Sequence, residues 1–294
     1  MTQEQLPAWF VDACGAPRED ASITVDGCRI VYRAWGERGR PVVVLVHGGA
    51  AHAGWWDHVG PHLAATHRVV ALDLSGHGDS GHRASYSIRT WATEVLAVAA
   101  AESDEPAVLM GHSMGGLVVL AAAGRGGSAL GGVAAVDIVP ESSGPGGYGP
   151  TPRPPGAVHR VHGTREIALG RFRTLPGDES SLPFVRDHLA AASIKPVDGG
   201  WSWKFDPHIM TRARVELADV DPVGCHAAVV RGERGLGTIR TSLELARRLG
   251  PAVPVTTIPD AGHHIMLDQP IALIATLQTL LGQWTPQHVE QERV

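Results

Sequence analysis

Apolar positions along the chain follow two rhythms. Six short segments are nearly continuous apolar runs: 41–46 (PVVVLV), 68–74 (RVVALDL), 106–110 (PAVLM), 132–138 (GVAAVDI), 226–230 (HAAVV) and 254–258 (PVTTI). Their length and β-branched content predict strands buried on both faces, as in a parallel sheet. Between them the apolar residues adopt the helical period over 55–65, 88–102, 115–124, 239–249 and 270–282. Ser87 can cap the second of these helices, and Pro270, behind Asp268 and Gln269, suits the first turn of the last. Residues 22–35 read as a hairpin turning at Asp26-Gly27, a dipeptide that accepts positive φ. Strands alternating with helices predict an α/β fold with a doubly wound, mostly parallel sheet.

The alternation stops between about 139 and 208. Ten of the thirteen residues from Gly144 to Gly156 are Gly or Pro, which excludes regular core structure there. Helical patterns return near 164–173 and 183–195, followed by the aromatic stretch Trp201-Ser202-Trp203-Lys204-Phe205. Ligands of α/β proteins bind beyond the carboxyl ends of the strands, so an insertion leaving the sheet there is expected to cap the site. The expected layout is an N-terminal extension (1–21), a core (22–138 and 209–285), a helical cap inserted after the sixth strand (139–208) and a tail (286–294).

Composition narrows the field. With 294 residues, 44% of them apolar, the chain can bury a core without a metal or disulfide staple. Cys14, Cys28 and Cys225 lack the spacing of a disulfide framework or zinc site. A net charge of -5 with no basic run argues against nucleic acid or an anionic membrane as the main partner. No apolar run approaches the roughly 20 residues of a membrane span. The first residues lack a signal-peptide pattern, so a cytoplasmic protein is expected. Seven histidines (47, 52, 58, 62, 67, 77 and 82) crowd one stretch. Pro61 separates His58 from His62 and no carboxylate lies between them as in H-E-x-x-H; loop and turn roles, and no metal, are expected.

The sharpest chemical signal is Gly111-His112-Ser113-Met114-Gly115-Gly116, between a predicted strand and a predicted helix. A tight strand-to-helix turn strains the serine backbone and lifts its hydroxyl to the apex, a nucleophile elbow. Glycines two before and two after let neighbouring backbones approach. On this motif the chain resembles the α/β-hydrolases, over about 22–138 and 209–282. Three further segments match that pattern: Val46-His47-Gly48-Gly49-Ala50 at the oxyanion-hole loop, Asp73–Ser80 at a structural turn, and Ala261-Gly262-His263 at the catalytic histidine. The loop lacks the three consecutive glycines of many lipases. His264 adjoins His263 and could be the base, but the glycine-histidine pair favours His263.

The acid departs from the commonest family pattern. Relatives usually carry an Asp after the seventh core strand, where this chain has Gly235 in Val230-Arg231-Gly232-Glu233-Arg234-Gly235. Two carboxylates could substitute: Asp137, ending the sixth strand, or Glu233. The sixth strand neighbours the nucleophile strand in this fold, about 4.8 Å away, so Asp137 would project at the rim that carries Ser113. A subgroup of α/β-hydrolases places its acid there. The plainer roles are a cap at the start of the insertion for Asp137 and an exposed ion pair with an arginine for Glu233.

The resemblance implies a cofactor-independent serine hydrolase acting on a carboxylic ester, thioester or lactone. Ser113 would attack, His263 would relay its proton, Asp137 would orient the imidazole, and the Gly49 and Met114 N–H groups would hold the oxyanion. Serine at 113 disfavours the alkyl-enzyme chemistry of epoxide hydrolases and haloalkane dehalogenases. Cleavage of a C–C bond or amide by the same triad, or a non-catalytic receptor on the same fold, are the rival readings. Trp55, Trp201 and Trp203 are candidate pocket residues. The five arginines between 151 and 175 form either a solvated face or an anion site.

Overall fold

A computed structural model describes residues 6–126, 129–138, 160–177, 181–211 and 220–284. Ten strands are present: β1 (Glu19–Val25), β2 (Cys28–Trp35), β3 (Val42–Val46), β4 (Arg68–Leu72), β5 (Val108–His112), β6 (Gly132–Val136), β7 (Ile194–Val197), β8 (Gly200–Trp203), β9 (His226–Gly232) and β10 (Val255–Ile258). Eight of them form one sheet in the order β1-β2-β4-β3-β5-β6-β9-β10, and β7 pairs with β8 as a separate hairpin. Pairing is antiparallel from β1 to β2 and from β2 to β4, and parallel across the rest. Every residue of β3, β4, β5 and β6 is buried, which is why these segments read as unbroken apolar runs. The hairpin turns at Asp26 and Gly27, both at positive φ as a two-residue turn requires.

The helices are α1 (Ala8–Cys14), α2 (Ile88–Glu102), α3 (Met114–Gly126), α4 (Arg165–Leu169), α5 (Pro183–Ala192), α6 (Ile239–Leu249), α7 (Ile265–Asp268) and α8 (Pro270–Trp284). One face of the sheet packs on Trp91, Val95, Val118 and Leu245 from α2, α3 and α6; the other packs on Phe10, Leu273 and Leu277 from α1 and α8. Helices on both faces make this the doubly wound α/β architecture that the alternation predicts. Ser87 caps α2 by accepting the Thr90 N–H.

Three predicted helices differ. Residues 55–65 form two short 3₁₀ turns, Ala53–Trp56 and Gly60–Leu63, rather than one α-helix. Pro61 lacks the N–H a continuous helix needs, and the His52 ring accepts the Gly54 N–H, closing a tight turn instead. The stretch 164–173 shortens to α4. The stretch 183–195 stops at Ala192, because Ile194–Val197 is drawn into the β7–β8 hairpin. The Gly/Pro stretch 144–156 and the expected boundaries at 139 and 286 lie outside the described residues.

The elements between 160 and 211 are tied to the carboxyl rim of the sheet. Leu182 N–H donates to the Leu267 carbonyl at 2.9 Å, His52 Nε2 meets Ser193 Oγ at 3.0 Å, and His77 bridges to Phe205.

Candidate active site

The turn from β5 into α3 is built by exclusion of side chains. A Cβ on Gly111 would overlap the Gly115 carbonyl, one on Gly115 the His47 carbonyl, and one on Gly116 the Ile138 side chain. With those approaches open, Ser113 is forced to φ 53, a left-handed conformation that costs a non-glycine residue about 1–2 kcal/mol. Ser113 N–H donates to the Val136 carbonyl at 2.9 Å, and α3 begins at Met114.

From this apex a hydrogen-bonded line runs inward. Ser113 Oγ lies 3.0 Å from His263 Nε2, and His263 Nδ1 lies 2.7 Å from Asp137 Oδ2. His263 is 4% exposed and Asp137 2%. A carboxylate accepts only, so Nδ1 carries the proton, and Nε2 is left to accept from the serine hydroxyl. Asp137 also accepts the backbone N–H groups of Gly232 and Leu236, each at 3.0 Å. Two fixed N–H donors satisfy further lone pairs of a buried carboxylate, which would otherwise be expensive to bury.

Gly235 explains why this acid sits on β6. A Cβ there would overlap Asp137 Oδ1 and come 2.6 Å from Cγ. The carboxylate from β6 fills the space that a side chain at 235 would need. Asp137 itself has φ 45, so its aim is set by a strained backbone at the strand end. It does not serve as a helix cap among the described residues. Glu233 is exposed and accepts the Asp260 N–H at 3.0 Å, away from the imidazole, so the structure does not bring the alternative acid to His263. The ring nitrogens of His264 hydrogen-bond to neither Ser113 nor Asp137.

The imidazole is anchored from behind. His112 Nε2 donates to the His263 carbonyl at 2.8 Å, and the Asp268 carboxylate accepts the Gly262 N–H at 2.8 Å and the Ser181 hydroxyl at 3.0 Å. Neither contact is legible from local pattern; Asp268 reads there only as a polar residue before α8. Burial drives the His112 imidazole well below its usual pKa and that of His264 down to about 3. Both rings are therefore neutral at pH 7.

Gly48 and Gly49 run beside the elbow: a Cβ on Gly48 would come 3.2 Å from the Ser113 Cβ, and one on Gly49 3.8 Å from the Met114 sulfur. His47 pins this loop, donating from Nδ1 to the Gly48 carbonyl at 2.7 Å and accepting the Leu74 N–H at 3.1 Å. Asp73 closes the neighbouring turn through the Ala53 and Asp79 N–H groups.

A row of aromatic rings leads away from His263. His264 is 4.7 Å from His263, Trp55 5.4 Å from His264, Phe172 6.5 Å from Trp55, and Trp203 6.3 Å from Phe172, between centroids. Trp201 instead lies under the Arg165 guanidinium. A cleft of about 810 Å³ opens between α4 and α5, with Phe172, Arg173, Arg186 and Asp187 in its wall. Arg173 spends one nitrogen on the Gly170 and Phe172 carbonyls.

Among the described residues, His112, His263 and His264 are the group that could offer three nitrogens to a cation, within 4.8 Å of one another. The bonds of His263 to Ser113 and Asp137, and of His112 to a carbonyl, already account for two of these rings. Of the crowded histidines from 47 to 82, the His47 and His77 rings meet at 4.8 Å, and His47, His52, His58, His67 and His77 are each bonded within their own loops or to neighbouring segments.

The sequence model of the Alpha/beta hydrolase family matches residues 43–277, and the chain belongs to that family. Esterase Rv0045c of Mycobacterium tuberculosis is 28% identical over 252 residues, covering 82% of this chain and 83% of that protein. A monoacylglycerol lipase of Mycolicibacterium smegmatis is 40% identical over 110 residues, covering 34% of this chain and 39% of the lipase. The solved thioesterase domain from a curacin biosynthetic pathway superposes with a TM-score of 0.74 at 22% identity, covering 89% of this chain and 99% of that one. The chain is thus an enzyme of the hydrolase class with esterases among its relatives. Among the described residues no helix is long and apolar enough to cross a membrane.

Proposed function

We propose that this enzyme is a serine hydrolase that cleaves a carboxylic ester, thioester or lactone through an acyl-enzyme. The observation that carries this reading is the unbroken hydrogen-bonded line from Ser113 through His263 to Asp137, at a serine held in strained backbone on an elbow. His263 Nε2 takes the hydroxyl proton as Ser113 Oγ attacks the carbonyl carbon, and returns it to the leaving oxygen or sulfur. Water, deprotonated by the same nitrogen, then releases the acid. Asp137 keeps the proton on Nδ1 and stabilises the imidazolium.

Met114 opens a helix whose first N–H groups have no intrahelical acceptor, and Gly49 sits beside it. Their N–H groups hold the tetrahedral oxygen, each worth about 3 kcal/mol in such sites. The described elements of the insertion, α4, α5 and the β7–β8 hairpin, act as the cap, with Trp55 and Trp203 lining the substrate space. Each role is filled by a side chain or backbone group of the chain itself.

The test is a panel of p-nitrophenyl esters of rising chain length, with lactones and anilides beside them. Turnover of esters by the wild type, lost in Ser113→Ala and reduced by orders of magnitude in Asp137→Asn but not in Glu233→Gln, is the expected result. Ester turnover that survives Ser113→Ala overturns the proposal.

A further inference from the structure

Three of the buried polar atoms that lack a hydrogen-bond partner belong to two rings beside the proposed base: Trp55 Nε1 and both nitrogens of His264. Trp55 is 7% exposed and His264 6%. Unsatisfied buried N–H groups are rare, and each calls for an explanation.

Two of the other orphan atoms have simple ones. His58 and His77 each bond a carbonyl through their second nitrogen, so the orphan nitrogen carries only a lone pair. Arg231 binds carbonyls through its terminal nitrogen while its Nε–H stays unpaired, as does the buried Trp56 Nε1–H, and neither group packs on His263. His264 differs, because in either tautomer it buries an N–H donor and an acceptor together. The Leu175 and Pro176 carbonyls approach its ring, yet neither ring nitrogen makes a bond of normal geometry. The proton relay does not use this ring. Trp55 and His264 pack against each other at 5.4 Å, and His264 against His263 at 4.7 Å. The unpaired groups therefore belong to the two rings that follow the proposed base in the aromatic row.

We infer that Trp55 and His264 form a polar subsite for an oxygen atom of the substrate other than those of the scissile group, so that the preferred substrates are oxygen-bearing rather than plain alkyl esters. The inference rests on the serine hydrolase reading. An indole offers one donor, and a neutral imidazole one donor and one acceptor. A hydroxyl complements both, accepting from Trp55 Nε1–H and donating to the imidazole lone pair. A ketone oxygen accepts from both N–H groups. An analogue lacking it leaves the two groups unpaired in the transition state, which is how a polar pocket discriminates.

The experiment measures kcat/KM for p-nitrophenyl butanoate against its 3-hydroxy and 3-oxo counterparts. Propyl butanoate against 2-hydroxypropyl butanoate, followed by pH-stat, reports the alcohol side. The wild type should favour at least one oxygenated ester over its parent about 10-fold or more. The ratio should fall toward unity in Trp55→Phe and in His264→Phe, and be largely restored in His264→Gln. Melting temperatures confirm that the variants fold, and the wild-type ratio needs no variant at all. Ratios near unity for every pair in the wild type, or an unchanged ratio in both Phe variants, would overturn the inference. Covalent labelling of wild-type Ser113 by a fluorophosphonate separates the two levels: with labelling but no preference, only the subsite fails; without labelling, the hydrolase reading fails as well.

Discussion

Moving the acid between strands should carry activity with it. Positions 137 and 235 address one point from neighbouring strands, since a Cβ at 235 falls 2.6 Å from the Asp137 Cγ. Asp137→Gly removes the acceptor of the His263 Nδ1 proton and leaves the Gly232 and Leu236 N–H groups facing no charge. Loss of the orienting carboxylate typically costs about 10⁴ in kcat, or about 5.5 kcal/mol at the transition state. Gly235→Asp in the wild type has no room for its side chain and should lose folded protein. In the double variant the space is vacated, and a Cβ–Cγ bond of about 1.5 Å brings the new carboxylate to within about 1 Å of the old one. We expect it to regain about 10²–10³ of the lost rate. The assay is kcat/KM on one p-nitrophenyl ester, with melting temperature as the check on folding. A folded double variant no faster than Asp137→Gly, or a single variant that loses less than tenfold, would refute the shared position.

Other outcomes follow from burial and strain. Burial lowers the pKa values of His47 and His58 to about 4. Their folded values lie below the unfolded value of about 6.5, so their contribution is intact above that pH and lost as pH falls toward 4. Each should cost about 2 kcal/mol at pH 5, read as a lower urea midpoint than at pH 7.5; an unchanged or higher midpoint contradicts it. Arg68 and Glu102 form an ion pair at 2.8 Å with both side chains 1% exposed. Glu102 keeps the Tyr32 hydroxyl at 2.8 Å and Arg38 at 3.7 Å, so Arg68→Met should cost about 1.5–3 kcal/mol, and adding Glu102→Gln should recover part of that in equilibrium unfolding; full additivity would argue against the coupling. At φ 53, Ser113→Gly should be more stable than Ser113→Ala by about 1 kcal/mol while both are inactive, and equal melting temperatures would remove strain from the description of the elbow.

What was legible in the chain was whatever local rules determine. The runs 42–46 and 132–136 announce buried parallel strands, and Gly111, Gly115 and Gly116 announce an elbow because only absent side chains let its backbones meet. The segment 55–65 misled, since its apolar spacing suits a helix while Pro61 and the His52 ring contact break it into 3₁₀ turns. The acid was half legible. Gly235 looked like a missing carboxylate, and only the packing of β6 against β9 turns it into a vacancy that Asp137 fills. The unpaired nitrogens of Trp55 and His264, and the Asp268 bonds to Gly262 and Ser181, depend on residues distant in sequence, so no local pattern could carry them.

The proposed hydrolysis stands or falls on Ser113 as the attacking group. Mass mapping of the protein after brief treatment with a fluorophosphonate tests it most directly. A single adduct on the peptide holding Ser113, absent in Ser113→Ala and formed much more slowly in His263→Ala, is the result predicted. Rapid ester turnover by a protein that takes up no adduct there would contradict the account.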